Sequence, residues 1–554
     1  MQANQSPFNL ANSLFACKEI LAVVEQIIEV SLIANYLYPL FKLDYITSDH
    51  RAWSPIVNKT SRTLSKVSKA HSPSHTTGKE LFSNFGLNHL DMLKTSLSYH
   101  GGTVIIKGLA HIPFATVDPR TNLLRALALH YSSIICYLKE NDIDYNDSVL
   151  DLLPSPLFVT TDVRLRQYQK MALEKWAKAG MKGCVVLPTG SGKTIIGIKA
   201  IERVNSATLI VVPTLDLMEQ WTEILSKHFA NANIGNLGGG TDDIQAITVA
   251  TYDSAYLRAA GIGNKFSLLV FDEVHHLAAP GYRSIAEQMA APYRLGLTAT
   301  IEREDNLHKD FPKLVGGVVF QANPSELAMN KHLAPYEIER RHVKMTWQEK
   351  QEYDRNYGTY QMYLKKSGIR MNHAGAFQRL IMMSAKSKAA RQALLARNRA
   401  LELALNSKTK MDELRKILLE NRGIKTIIFT QHNSSVHEIS NCFFIPLITH
   451  KTSKEERQYT LMGFKEGRYS AIVTSKVLDE GVDVPDAELG IIVSGTGSGR
   501  EFIQRLGRLL RPKKDLAKKA RLIELISSDT HETITSAKRK NALTRIDEKG
   551  KSIS

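Results

Sequence analysis

Gly183-Cys184-Val185-Val186-Leu187-Pro188-Thr189-Gly190-Ser191-Gly192-Lys193-Thr194-Ile195-Ile196-Gly197-Ile198-Lys199-Ala200-Ile201 decides how the rest of the chain is read. Residues 183–187 form a short apolar run of strand length, and 195–201 carry apolar positions at helical spacing. The turn between them is rich in glycine and closes on Lys-Thr. Such a turn can aim backbone N–H groups inward, and the helix that follows adds its positive end, so the segment suits a bound phosphate. The strand before and the helix after are the context a phosphate-binding loop requires. Thr189, Gly190, Ser191 and Gly192 would cradle the phosphates of ATP, Lys193 would neutralise the β- and γ-phosphates, and the Thr194 hydroxyl would ligate Mg²⁺. Leu187 stands where the strict pattern has glycine.

Working outward, short apolar runs at 208–212, 247–250, 268–271 and 295–297 alternate with helical patterns. The alternation returns at 426–429, 471–474 and 489–493, beyond a basic helical stretch. Strands alternating with helices predict parallel sheets covered on both faces. The reading is therefore α/β, with one such domain over 161–330 and a second over 331–535 that carries a helical insertion at about 350–415. Upstream, 1–50 reads as a helical extension, and 51–95, rich in Ser, Thr, Lys and His, as a flexible linker. A small α+β domain is expected over 96–160, with a strand at 102–106, a helix at 123–139 and a proline-rich joint at Leu153-Pro154-Ser155-Pro156. Residues 536–554 read as a frayed polar tail. No internal repeat is visible.

The run at 268–271 ends in Asp272-Glu273-Val274-His275. A carboxylate at the end of a buried parallel strand faces the crevice where ligands bind. Asp272 would hold Mg²⁺, directly or through water, and Glu273 would orient and activate the attacking water. His275 fits a coupling role and His276 a surface one, since adjacent histidines rarely share a metal and no third ligand is evident. Upstream of the loop, Gln169 offers an amide that can pair with adenine through one donor and one acceptor. Far downstream, Gln504-Arg505-Leu506-Gly507-Arg508-Leu509-Leu510-Arg511 puts Arg508 and Arg511 at i, i+3 on one helical face. Their planar guanidinium groups suit the charge on a transferring phosphoryl group, and Gln504 belongs to the same constellation.

Of 554 residues, 43% are hydrophobic and 23% charged, so the chain can bury several cores. No stretch of about 18 uncharged apolar residues occurs, which argues against a membrane span. Cys17, Cys136, Cys184 and Cys442 are scattered and form no C-x-x-C pair, which fits a reducing, cytoplasmic setting at the nucleoid. The net charge of +17 favours a polyanionic partner. Residues 365–410 hold eleven Lys/Arg against one acid, Glu402, and read as a phosphate-contacting surface.

These pieces, in this order, resemble a superfamily 2 helicase, and more narrowly the XPB family in its archaeal form. Leu297-Thr298-Ala299-Thr300 is similar to the element that couples hydrolysis to domain movement, and Arg303-Glu304-Asp305 to the RED signature that follows it. Pro213-Thr214 and Thr251-Tyr252-Asp253-Ser254-Ala255 resemble the strand-contacting motifs of the first motor domain. The segment from Thr474 to Pro485 resembles that of the second, with Gly481 and Asp483 toward the nucleotide. Ser494–Arg500 is similar to the loop leading into the arginine motif. The basic insertion lies where the family has a thumb. Pro113-Phe114, Asp118, Arg120 and Arg125-Ala126 fall where it has a damage-recognition domain.

The resemblance implies two RecA-like motor domains and DNA, at a fork or a single-strand/duplex junction, as substrate. It implies 3′-to-5′ polarity, a role in nucleotide excision repair, and a structure-specific nuclease as partner. Nucleic-acid contact would come from Pro213, Thr214, Thr251, Arg303, Glu304, Asp305 and Thr474, and a monomer is favoured. An RNA helicase, a restriction-system motor subunit and a non-catalytic DNA-binding scaffold stand as the alternatives.

Overall fold

The computed structural model describes residues 94–154, 161–229, 232–302, 305–323, 326–327, 336–371, 375–475, 487–496, 498, 502, 505 and 520–551. The expected helical extension at 1–50, and the linker up to residue 93, lie outside the described residues. Three sheets organise the rest.

The first sheet is mixed and five-stranded, in the order Thr116–Asp118, Leu123–Leu127, Thr103–Lys107, Thr95–His100, Tyr145–Ser148. Its inner positions alternate, as in Val104 and Ile106 or Leu124 and Ala126, and the helix Tyr131–Glu140 covers them with Tyr131, Ile134 and Leu138. The helix expected over 123–139 is corrected at its first half. Leu124 and Ala126 are buried with period two, and Leu123–Leu127 pairs antiparallel with both Thr103–Lys107 and Thr116–Asp118. Ladder pairing outweighs the weak helical pattern of so short a run.

The second sheet has eight strands, in the order Val318–Gln321, Lys182–Val186, Tyr293–Thr298, Leu268–Asp272, Thr208–Val212, Ile247–Thr251, Ile234–Gly238, Thr241–Asp242. All pairings but the last are parallel. The central strands Thr208–Val212, Ile247–Thr251 and Leu268–Asp272 are buried along their whole length, as a sheet covered on both faces demands. Register brings Asp272 beside Leu297, and Thr298 beside Val186, so the carboxylate strand, the coupling strand and the phosphate-loop strand end side by side.

The third sheet is parallel throughout, in the order Tyr336–Val343, Ala520–Ser527, Leu489–Ile492, Thr426–Phe429, Ala471–Thr474, Leu447–Ile448. Its edge strand Tyr336–Val343 and the neighbouring Ala520–Ser527, and the second sheet's Val318–Gln321 and Ile234–Gly238, escaped the sequence reading. Tyr336–Val343 mixes charge with apolar residues because it is an edge strand.

The basic insertion is three helices, Trp347–Ser367, Ala376–Lys386 and Lys388–Leu405. Thr346 and Glu349 start the first with a reciprocal capping box. Ala390, Ala393, Ala396, Ala400 and Ala404 are buried on one face of the third, where small side chains let the helices approach closely. The next helix, Lys408–Glu420, buries Leu414 and Ile417 in the core of the third sheet and is not part of the insertion. Lys410, the last cation of the run, is fully buried against Glu532 and is removed from any phosphate surface, whereas Lys365, Lys366, Arg370, Arg379, Lys386, Lys388 and Arg391 are exposed.

The frayed tail is also corrected. His531–Lys551 is a helix, and Glu532, Ser536 and Arg539 on it are buried. Its polar look misled because Glu532 pairs internally with Lys410 and Arg539 with Glu524. Among the described residues no helix is long and apolar enough to cross a membrane.

Candidate active site and nucleic-acid face

The phosphate loop is pinned from behind through its carbonyls. Tyr168 Oη donates to the Ser191 carbonyl at 2.5 Å, and Gln169 Nε2 donates to those of Ser191 at 3.1 Å and Gly192 at 3.3 Å. Ser191 Oγ donates to the Pro188 carbonyl at 2.7 Å. With these carbonyls held outside, the loop is fixed in one shape. Gly192 is required there twice over: its φ is +80°, and a Cβ would lie 2.6 Å from Gln169 Nε2. Gln169 is 4% exposed, and its Oε1 accepts the Arg166 N–H at 2.9 Å, so the amide serves the loop rather than facing open solvent.

Lys193 and Thr194 open the helix Lys193–Val204. Lys193 Nζ donates to the Leu187 carbonyl at 3.2 Å. Across the sheet, Asp272 accepts Trp221 Nε1 at 2.8 Å through Oδ2 and the Glu273 N–H at 3.0 Å through Oδ1. Burial, reinforced by the charge of Glu273, pushes the Asp272 carboxyl up to about 6, against the opposing pull of Lys193. Trp221 was not singled out from the sequence; it lies on the helix Leu215–His228 and touches the site only through the fold.

Glu273 occupies the left-handed region, φ +48°. A non-glycine residue rarely adopts that backbone conformation. Thr298 Oγ1 donates to Glu273 Oε2 at 3.3 Å, and His275 Nδ1 lies 3.2 Å from Thr298 Oγ1 and 3.4 Å from Glu273 Oε2. His275 is fully buried. Glu273, His275 and Thr298 thus form one connected unit between the hydrolytic carboxylate and the Thr298-Ala299-Thr300 turn. His276 is half-buried and lies against the Tyr252 ring, not on a free surface.

The site has an evident place for a divalent cation. Two adjacent carboxylates, one buried and raised, face a lysine and the start of a helix, and the buried Thr189 hydroxyl has no hydrogen-bond partner among the described residues. Hard oxygen donors of this kind suit Mg²⁺.

Two helices begin at the C-terminal ends of neighbouring strands, each capped by a threonine. Thr214 accepts the Leu217 N–H at 3.3 Å, and Thr251 accepts that of Ser254 at 3.3 Å. The remaining N–H groups of both first turns, with Pro213 just before one of them, make two positive helix ends on one sheet edge. Thr474 is fully buried and its hydroxyl donates to the Ser475 carbonyl, so the side chain is turned inside. Asp305 is exposed and accepts the Leu307 N–H at 3.1 Å. Arg303, Glu304, Gly481, Asp483, Gln504, Arg508 and Arg511 lie outside the described residues. Arg505, next to Gln504 in the chain, is buried with its guanidinium 5.3 Å from the Phe429 ring centre. The second and third sheets also meet across ion pairs, Arg457 with Asp216 and Lys454 with Glu219.

Three family models match the chain. Residues 97–149 match the Xeroderma pigmentosum group B helicase damage recognition domain. Residues 162–303 match the type III restriction enzyme res subunit, and 392–549 the ERCC3/RAD25/XPB C-terminal helicase. The DNA 3'-5' translocase XPB2 of Sulfurisphaera tokodaii is 45% identical over 444 residues, 80% of this chain and 99% of that protein. The DNA 3'-5' helicase XPB of Kineococcus radiotolerans is 29% identical over 390 residues, 68% of this chain and 62% of that protein. The general transcription and DNA repair factor IIH helicase/translocase subunit XPB/SSL2 of Saccharomyces cerevisiae is 28% identical over 441 residues, 75% of this chain and 47% of that protein. The chain belongs to the XPB family of superfamily 2 helicases.

Proposed function

We propose that this XPB-family chain hydrolyses ATP between its second and third sheets and uses the cycle to move 3′-to-5′ on DNA, opening it during nucleotide excision repair. The observation that carries this is the convergence of Lys193, Asp272 and Glu273 at adjacent strand ends, with Glu273 bonded through Thr298 and His275 to the coupling turn.

In this reading Lys193 and the N–H groups of residues 190–194 bind the phosphates. Thr194 and Asp272 would hold Mg²⁺, which when bound offsets negative charge on the phosphates. Glu273 accepts a proton from the attacking water and holds it in line. Arg508 and Arg511 would approach the γ-phosphate from the third-sheet side, with Gln504, Gly481 and Asp483 near them. ATP would then draw the two sheets together, and loss of the γ-phosphate would release them. Gln169 supports the loop, and an adenine contact would need its amide to release the Ser191 or Gly192 carbonyl.

DNA would be held at the helix starts after Pro213-Thr214 and Thr251, through backbone N–H groups. Arg303, Glu304 and Asp305 would stand near the strand-separation point, and Thr474 would act by placing its loop. Backbone contacts of this kind carry little sequence information, so binding is expected to be sequence-tolerant and salt-sensitive. The exposed cations of the helical insertion would clamp a fork or single-strand/duplex junction, and a structure-specific nuclease would cut what the motor opens. A monomer suffices for this scheme.

The test is ATP turnover with no nucleic acid, with forked DNA and with matched RNA, beside Lys193→Ala. DNA stimulation lost in the variant is the expected result. Equal or stronger stimulation by RNA would overturn the repair assignment.

A further inference from the structure

The first and third helices of the insertion, the turn after the first, and His531 at the start of the C-terminal helix enclose a cavity of about 880 Å³. One side of it is aromatic. The Tyr353 and Tyr357 rings stack with centres 5.5 Å apart and planes 11° apart, and Tyr357 also approaches Tyr360 at 6.1 Å and His531 at 6.5 Å. Tyr353 and Tyr360 are only 3% and 6% exposed, whereas Tyr357 is half-buried, so Tyr357 is the ring an entering group can reach. Tyr353 Oη accepts the His531 N–H at 2.8 Å, which ties the cluster to the C-terminal helix. Ile369 and Leu401, both half-buried, add apolar wall.

The charge in this cavity is of one sign. Lys365, Arg370 and Arg397 line it, and among the described residues that line it none is Asp or Glu. The Arg397 guanidinium lies 4.4 Å from the Phe377 ring centre, which restrains it. Burial, and then the charges of Lys538 and Arg397, hold the His531 imidazole below its ordinary 6.5, so at neutral pH it adds no charge. A cavity of this size admits a small organic group. An aromatic wall beside unopposed positive charge suits a flat ring joined to an anion, which describes a nucleotide: every base has a π-face, and the cations bind its phosphate. A bare phosphate would gain nothing from the tyrosines, and an apolar ligand nothing from the cations. Lys366, Lys388 and Arg391 on the same two helices are exposed and do not line the cavity. The positive surface therefore extends past the cavity, which a strand can use and a free nucleotide cannot.

We propose that this cavity takes one unstacked nucleotide of a bound DNA strand, its base against Tyr357 and its phosphates on the cations that line and flank the cavity. A base paired in a duplex is stacked and does not enter. The insertion would then distinguish an open strand from a closed one, beyond gripping phosphates. The proposal rests on reading the insertion as a DNA-contacting surface.

The experiment measures binding of the full chain, by fluorescence anisotropy, to a fork with single-stranded arms and to the same fork with abasic arms, which keep every phosphate and lose every base. The parent is compared with Tyr357→Leu and Ile369→Lys, with thermal melting as a check on folding. Leucine keeps apolar bulk and loses the ring; the lysine fills the cavity and adds positive charge. The parent should bind the base-bearing fork about 5- to 150-fold tighter than the abasic one, the range for one base stacked on an aromatic side chain. Both variants should narrow that gap at least about 5-fold. Ile369→Lys should do so while binding the abasic fork no more weakly than the parent, a pattern that neither lost charge nor lost folding produces. Equal binding of the two forks by the parent, or an undiminished gap in either variant that melts normally, would overturn the pocket and leave the clamp standing. Failure of the parent to bind either fork would sink the DNA-contacting reading and the pocket with it. If Tyr357→Leu does not fold, Ile369→Lys decides alone.

Discussion

Trp221→Phe isolates one hydrogen bond at the centre of the site. Trp221 is 1% exposed and gives its indole N–H to Asp272 Oδ2 at 2.8 Å. Phenylalanine removes that donor from a buried carboxylate, and a hydrogen bond to a charged group is worth about 1.5–3 kcal/mol. If the whole loss is felt in the transition state, kcat falls about 10- to 150-fold at 1.36 kcal/mol per decade. The smaller ring also leaves a gap, which costs about 1–3 kcal/mol of stability by itself.

A second substitution separates the two effects. A Cβ at Gly197 would lie 2.6 Å from Trp221 Cη2 in the parent chain, so Gly197→Ala alone overpacks the site. In Trp221→Phe the outer part of the indole is gone, and the same methyl fills the space it left. The double variant should therefore recover melting temperature but not turnover. DNA-stimulated ATP turnover and thermal melting on all four chains give the answer. Recovery of both in the double variant would refute the argument, because Trp221 would then act by filling volume alone.

Arg457→Ala removes the less exposed of the two ion pairs between the motor sheets. A pair of this kind is worth about 0.2–1 kcal/mol, about a 1.5- to 5-fold shift toward separated sheets, which small-angle scattering should read as a larger radius of gyration; an unchanged radius shows that this pair does not hold the sheets together. Gly263→Ala drives a methyl into Tyr99 Oη and the Gln288 carbonyl, where Tyr99 Oη now donates to the carbonyls of Ala260 and Gln288 at 3.0 Å each. Overpacking of about 1–3 kcal/mol should loosen the first sheet from the second and speed proteolysis near residue 154, and an unaltered cleavage rate would show that this seam does not hold them. Asp118 bonds Arg120 and pairs with Arg125, and these hold its carboxyl at about 2, below its ordinary 3.8. The folded-state pKa is depressed, so the stabilisation is complete above about pH 4 and lost as pH falls through about 2. Asp118→Asn should melt lower than the parent at neutral pH, with the gap closing over that window; a gap that persists at pH 2 contradicts the pairing.

Sequence alone determined the parts of this protein that depend on local chemistry. The loop at 187–194 needs glycine where a side chain would collide, and Lys193, Thr194, Asp272 and Glu273 sit at strand ends whose apolar runs are continuous because both faces are covered. Those runs, eight of them, were legible from periodicity and length. What the fold decided is whatever depends on residues far apart in the chain. Trp221 reaches Asp272 across 51 positions, and Arg539 reaches Gly495 across 44. Neither leaves a periodic trace, since a buried indole looks like any core residue and a buried arginine like any surface one. The same limit explains the misread helix at 123–127 and the misread tail. Whether Leu124 and Ala126 belong to a helix or a strand depends on the strands beside them. Whether a polar helix frays or docks depends on carbonyls and carboxylates that only the folded chain brings within bonding distance.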